Sequence, residues 1–149
     1  MMQVYRIPGK FLGRNETERL ARSHWAKASE VKRDETDASM LYAKQAGLEP
    51  VSGPVDLLVM FREQVEFYKN GRPKKMRDVD NIFGALKPLI DGLVKAKVIP
   101  DDGPQWIRRV IPSVQYAEDD PHITIVLDDY SPERTVTFLP VELPGDKEE

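Results

Sequence analysis

The 149-residue chain reads as an α+β domain, a small mixed sheet with helices packed on it, because its segments follow the order β-α-α-β-α-β-β. Two segments carry most of that reading. Residues 54–68 alternate with period two, which puts Val55, Leu57, Val59 and Phe61 on one face of a strand; Val65 and Phe67 resume that face after a slip in register. Residues 81–97 repeat at helical spacing instead, with Ile82, Leu86, Leu89 and Leu93 on one stripe and Phe83, Ile90 and Val94 alongside.

Shorter signals place the other elements. Residues 2–7 form a strand that Pro8-Gly9 ends. Asn15 with Glu18 three later has the form of a helix cap with its reciprocal glutamate, opening a helix that runs to about Lys32 and buries Leu20, Trp25, Ala28 and Val31. A second helix covers Asp37–Gln45 and stops at Gly47, and Asn70-Gly71 marks a turn. Pro88 has no N–H for the carbonyl of Gly84 and its ring crowds that carbonyl, so the helix over 81–97 kinks or restarts near Lys87. After the loop Pro100–Pro104 come strands over 106–116 and 122–127. Residues 1–128 make one domain, and 129–149 an acidic, proline-dotted tail with a strand-like piece at 136–139.

Composition excludes several classes. A chain of this length forms one domain that buries roughly two thirds of its unfolded surface, enough for a core without disulfides or a structural metal. The longest apolar run, Leu57–Phe61, is five residues, against the roughly 20 of a membrane helix. No basic stretch followed by an apolar one opens the chain, so a cytoplasmic protein is expected. With no cysteine there is no thiolate ligand, cysteine nucleophile or thiol switch. The two histidines, His24 and His122, lie in no nucleophile motif, and nothing calls for an organic cofactor.

The net charge of -3 conceals an uneven distribution. Residues 117–149 hold ten acids and two bases, net -8, leaving +5 on the rest. Within that rest Lys69, Arg72, Lys74, Lys75 and Arg77 fall in nine residues without an acid. Such a run is either a solvated loop or a surface that grips phosphates.

Next along the chain stand Asp78-Val79-Asp80-Asn81, then Lys87, then Asp101-Asp102. Carboxylate oxygens suit Mg²⁺, which typically combines one or two carboxylates with substrate phosphates. In extended chain Asp78 and Asp80 point the same way, and Lys87 offers charge to a phosphate. Each piece also has a plain reading: Asp80 as a helix cap, Asp101-Asp102 as turn chemistry, Lys87 as a solvated helix residue. Local charge alone leaves a Mg²⁺-dependent phosphodiester enzyme and an ordinary α+β binding domain both open.

The ordered set Asp78-Val79-Asp80-Asn81, Lys87 with Asp91-Gly92-Leu93, and Val98-Ile99-Pro100-Asp101-Asp102 resembles the RusA family of Holliday junction resolvases. Asn15, Arg19, Arg22, His24-Trp25 and Lys27 resemble its looser amino-terminal pattern. Lys87 stands six residues after Asn81, where the family's lysine usually stands three after; three added residues turn a continuous helix by about 300°, nearly one full turn. The resemblance implies a RusA-like fold and an endodeoxyribonuclease acting on four-way DNA junctions in recombination and repair. It implies catalytic Asp78, Asp80, Lys87, Asp101 and Asp102, with Mg²⁺ on Asp78, Asp80 and Asp102; the basic run, Lys69, Arg72, Lys74, Lys75 and Arg77, would then grip the DNA backbone. A straight helix over 81–97 is about 25 Å long and would hold the two aspartate groups apart. Either the chain folds back, or a homodimer mixes residues of two subunits in each site, which suits the two symmetric nicks of a junction. The alternative is a non-catalytic branched-DNA or single-strand DNA binding protein of the same fold.

Overall fold

The computed structural model describes residues 1–133. Four strands form one mixed sheet: β1 (Gln3–Pro8), β2 (Val55–Gln64), β3 (Ile107–Ala117) and β4 (His122–Asp129), in spatial order β1-β4-β2-β3. β4 pairs antiparallel with β1 and β2, and β2 pairs parallel with the edge strand β3. The parallel pair needs a crossover, and the helices that make it, α3 (Val79–Phe83) and α4 (Leu86–Lys95), carry the candidate site. α1 (Arg14–Ser23) and α2 (Trp25–Gln45) make the other connection. The α+β class is the one the sequence predicts, and the element order matches except that the single helix expected over 81–97 is two, α3 and α4. The expected strand piece at 136–139 and most of the acidic tail lie outside the described residues. Among the described residues no helix is long and apolar enough to cross a membrane.

The period-two pattern is realised on β2, where Val55, Leu57, Val59 and Phe61 are buried together with Ile123, Ile125 and Leu127 of β4 and Tyr5 and Ile7 of β1. Ile82, Leu89 and Leu93 close the core from the helical side, and Phe83 meets Phe61 with ring centroids 5.9 Å apart. β2 stops at Gln64 rather than continuing through Phe67. Phe67 instead bridges Pro73 across a small finger, and the expected turn at Asn70-Gly71 forms its tip, with Gly71 at φ +84°.

Three expectations about the helices are corrected. The first helix breaks at His24 (φ -147°), so the continuation α2 has a different phase; Ala28 is buried, but Trp25, expected in the buried stripe, is 74% exposed. The separate helix at 37–45 is the end of α2. Asn15 does not cap α1: Gly13 holds the N-cap position without a side-chain bond, Glu18 pairs with Arg14, and the Asn15 N–H donates to Oδ1 of Asn81 at 2.7 Å. The cap thus comes from a residue 66 positions away, and Gly13 is required because a Cβ there would collide with that same oxygen.

α2 and α4 both end in Schellman turns. After α2, Leu48 N–H reaches Ala43 O at 3.1 Å and Gly47 N–H reaches Lys44 O at 3.0 Å; after α4, Val98 N–H reaches Leu93 O at 3.0 Å and Lys97 N–H reaches Val94 O at 2.9 Å. The left-handed position is Gly47 (φ +73°) in the first and Lys97 (φ +62°) in the second. Lysine bears a Cβ penalty there that glycine lacks. Lys97→Gly should therefore raise stability by about 0.5–1 kcal/mol after the extra unfolded-state entropy of glycine is subtracted, read as a higher denaturant midpoint with unchanged slope.

Candidate functional site

The segment ahead of α3 is held from both sides by the amino-terminal arm. Arg77 Nε donates to Glu63 Oε1 at 2.6 Å, and its Nη1 donates to Phe11 O at 3.1 Å and Glu16 Oε1 at 3.4 Å. Burial disfavours the Arg77 charge, but the bond and field of Glu63 outweigh it and its pKa is raised. Arg77 is therefore a structural clamp, not the exposed phosphate ligand expected from the basic run. On the other side Asn81, buried, caps α1 as described. Asp78 and Asp80 stand between these anchors. Asp78 is the N-cap of α3 and Asp80 lies in its first turn, both exposed, so Asp80 is not the cap of a helix starting at Asn81. Among the described residues neither carboxylate has a hydrogen bond or ion pair to spend itself on, and an oxygen-only donor pair of this kind fits a hard divalent cation.

The helix expected over 81–97 breaks and restarts near Lys87, as Pro88 predicts. α3 ends at Phe83 and α4 begins at Leu86, two residues before Pro88, so the restart comes one residue before Lys87. The rotation argued for a continuous helix does not apply. Lys87 sits in the first turn of α4, exposed, and its Nζ donates to Asp91 Oδ1 at 3.0 Å and to Asp102 Oδ2 at 3.1 Å. These bonds, that to Asp91 first, raise the lysine's pKa and keep it charged, and the bond from Lys87 lowers that of Asp102. The contact requires the loop after α4 to run back along the helix, which the Schellman turn at Lys97 and the bond from Val51 N–H to Val98 O at 2.9 Å fix in place. Asp101 accepts from Gly103 N–H at 2.7 Å, the turn chemistry that was its plain reading.

The chain thus brings Lys87 to Asp102 but does not gather Asp78, Asp80 and Asp102: among the described residues no three acidic or histidine side chains are grouped to hold a metal ion. The basic run is placed on the finger. Tyr68 N–H donates to Arg72 O at 2.8 Å and Lys74 N–H to Glu66 O at 2.7 Å, and Lys74 Nζ lies 4.9 Å from the Tyr68 ring centroid. Lys69, Arg72 and Lys75 are exposed, and among the described residues none of Lys69, Arg72, Lys74 and Lys75 is in an ion pair. With Tyr68 exposed as well, the finger offers cations and one aromatic face.

Two residues were not found by sequence reasoning. Asp91 was noted only within a motif, although its i,i+4 spacing from Lys87 signals the pair. Glu35 gave no signal, since its place depends on how α2 packs: its Oε2 accepts from Leu12 N–H at 3.1 Å, and burial pushes its carboxyl up to about 7. A folded pKa above the unfolded value of 4.5 means that the native state holds the extra proton between those values. Stability is then full below pH ~4.5 and falls as pH rises through about 7. Glu35→Gln should remove that slope and raise Tm at pH 8 relative to wild type by about 1–2 kcal/mol equivalent, discounted for partial exposure, with little difference at pH 4.5. No protein-family model matches this chain, and no curated protein does.

Proposed function

We propose that the protein is a Mg²⁺-dependent, structure-selective endodeoxyribonuclease of RusA type that cuts branched DNA as a homodimer. The observation that carries the reading is the contact of Lys87 with Asp102, two motif pieces 15 residues apart in sequence that the fold returns to hydrogen-bond distance. Since Asp78 and Asp80 lie outside that contact, the complete metal site takes Asp78 and Asp80 from one subunit and Asp102 from the other. Bound there, Mg²⁺ would activate water and stabilise the leaving oxygen. The chain's own residues do the rest. Arg77 and Asn81 fix the backbone that bears the two aspartates, Lys87 offers a permanent positive charge to the phosphate, and Asp91 keeps that ammonium over the site.

The finger supplies the sequence-independent grip on the strand backbone. Replacing Lys69 and Arg72 with Ala should weaken junction binding and reduce the slope of log K against log salt by about 1 per residue removed, measured by gel shift over a salt series. The whole reading is tested by incubating a labelled four-way junction with the protein: binding with or without metal and cutting only with Mg²⁺ supports it. Binding without cutting under any divalent cation supports the second reading, a non-catalytic branched-DNA or single-strand DNA binding protein, which the lack of a three-carboxylate group among the described residues favours.

A further inference from the structure

A cavity of about 300 Å³ opens between α1, α2 and the break between α3 and α4. Its walls are apolar: Leu12, Leu20, Ala28, Val31 and Pro88. Glu18 and Glu35 line it as well, and Arg14, Lys32 and Lys87 bring three cations to it. Arg14 is paired with Glu18, Lys87 with Asp91 and Asp102, and Lys32 has no ion-pair partner among the described residues. The size is at the low end for ligand sites, ~300–1,000 Å³, too small for a docked helix and suited to one planar group.

The chemistry of the lining narrows the occupant. A bare anion gains nothing from aliphatic walls, and a purely apolar ligand gains nothing from cations beside them. A heterocyclic ring that carries phosphates on both sides uses both, and its polar edge can meet the carboxyl of Glu35. Resting on the nuclease reading above, we infer that this cavity receives one unstacked nucleobase of the DNA strand, next to the phosphate that Lys87 serves. Pulling a base from the stack costs a few kcal/mol and least where pairing is already lost, as at a branch point, so the cavity favours branched over continuous duplex. Glu35, whose carboxyl burial pushes up to about 7, can donate to a base edge when protonated and accept from it when ionised.

The test uses a four-way junction with 2-aminopurine placed in turn at each position around the branch, with Ca²⁺ replacing Mg²⁺ to prevent cutting. Fluorescence should rise several-fold at one position when the wild-type protein binds. Val31→Phe, which fills the cavity, and Lys32→Glu, which reverses an exposed cation beside it, should each suppress the rise and slow cleavage in Mg²⁺ by about tenfold, while gel-shift binding through the finger persists. A junction that is bound and cut with no position brightening overturns the inference and leaves the nuclease reading intact, as does a full rise in both variants. Loss of self-association in Val31→Phe with an unchanged rise assigns the cavity to a second copy of the chain and overturns it. A free mononucleotide that displaces the junction at equal concentration assigns it to a small ligand and overturns it likewise. Failure to bind any junction sinks the nuclease reading, and this inference with it.

Discussion

Asp80→Asn is expected to abolish cleavage of a four-way junction while junction affinity is retained. The substitution keeps shape and removes one negative charge from a side chain that has no hydrogen-bond or ion-pair partner among the described residues, so the fold and its Tm should change little. On the proposed reading, what is lost is the negative charge of a direct ligand. The deficit should therefore exceed the ~10–100-fold that removal of an outer-shell partner costs, and added Mg²⁺ should recover little of it. Asp102→Asn removes the charge of a proposed ligand and of the ion pair with Lys87, and should be as inactive. Near wild-type cutting by either variant would show that the phosphodiester chemistry lies elsewhere.

Arg77→Ala carries the largest expected effect on stability. The Arg77 side chain is 13% exposed and its partner Glu63 is 6% exposed, so truncation leaves a carboxylate in a dry setting without its counter-charge. Breaking such a pair from one side costs about 3–5 kcal/mol, or about 10 °C in Tm for a domain of this size. The loss also frees Phe11 O and Glu16, and with them the arm that steadies the aspartates. Arg77→Lys should restore only part of it, because an ammonium cannot meet three acceptors in a fixed fork. An exposed phosphate ligand at this position would instead give weaker DNA binding with unchanged Tm, which separates the two roles by a thermal melt alone.

What could be read from the sequence follows from what is local. The alternation of Val55, Leu57, Val59 and Phe61 and the stripe Ile82, Leu89 and Leu93 reappear as buried faces, because period and burial are tied along one element. The break ahead of Pro88 was equally visible in one residue's covalent chemistry. Trp25 was misplaced because a single non-helical residue, His24, resets the phase of everything after it. Arg77 was counted with the finger's bases because charge spacing cannot show that Glu63 lies across from it. In the sequence Asn81 is only the last letter of a motif, whereas in the fold it caps a helix 66 residues earlier, and no window along the chain contains both. The same limit hid Glu35 and the cavity it lines.

Among the described residues no three acidic or histidine side chains of one chain are grouped to hold a metal ion, and the proposed site would therefore be completed by a second subunit. Asp80→Asn and Asp102→Asn proteins, each inactive alone, should be mixed, allowed to exchange subunits and assayed on a labelled junction with Mg²⁺. A site shared between subunits leaves one intact Asp78, Asp80 and Asp102 set in each mixed dimer, so nicking should return at one position per junction. Continued inactivity of the mixture, with subunit exchange demonstrated, would contradict it.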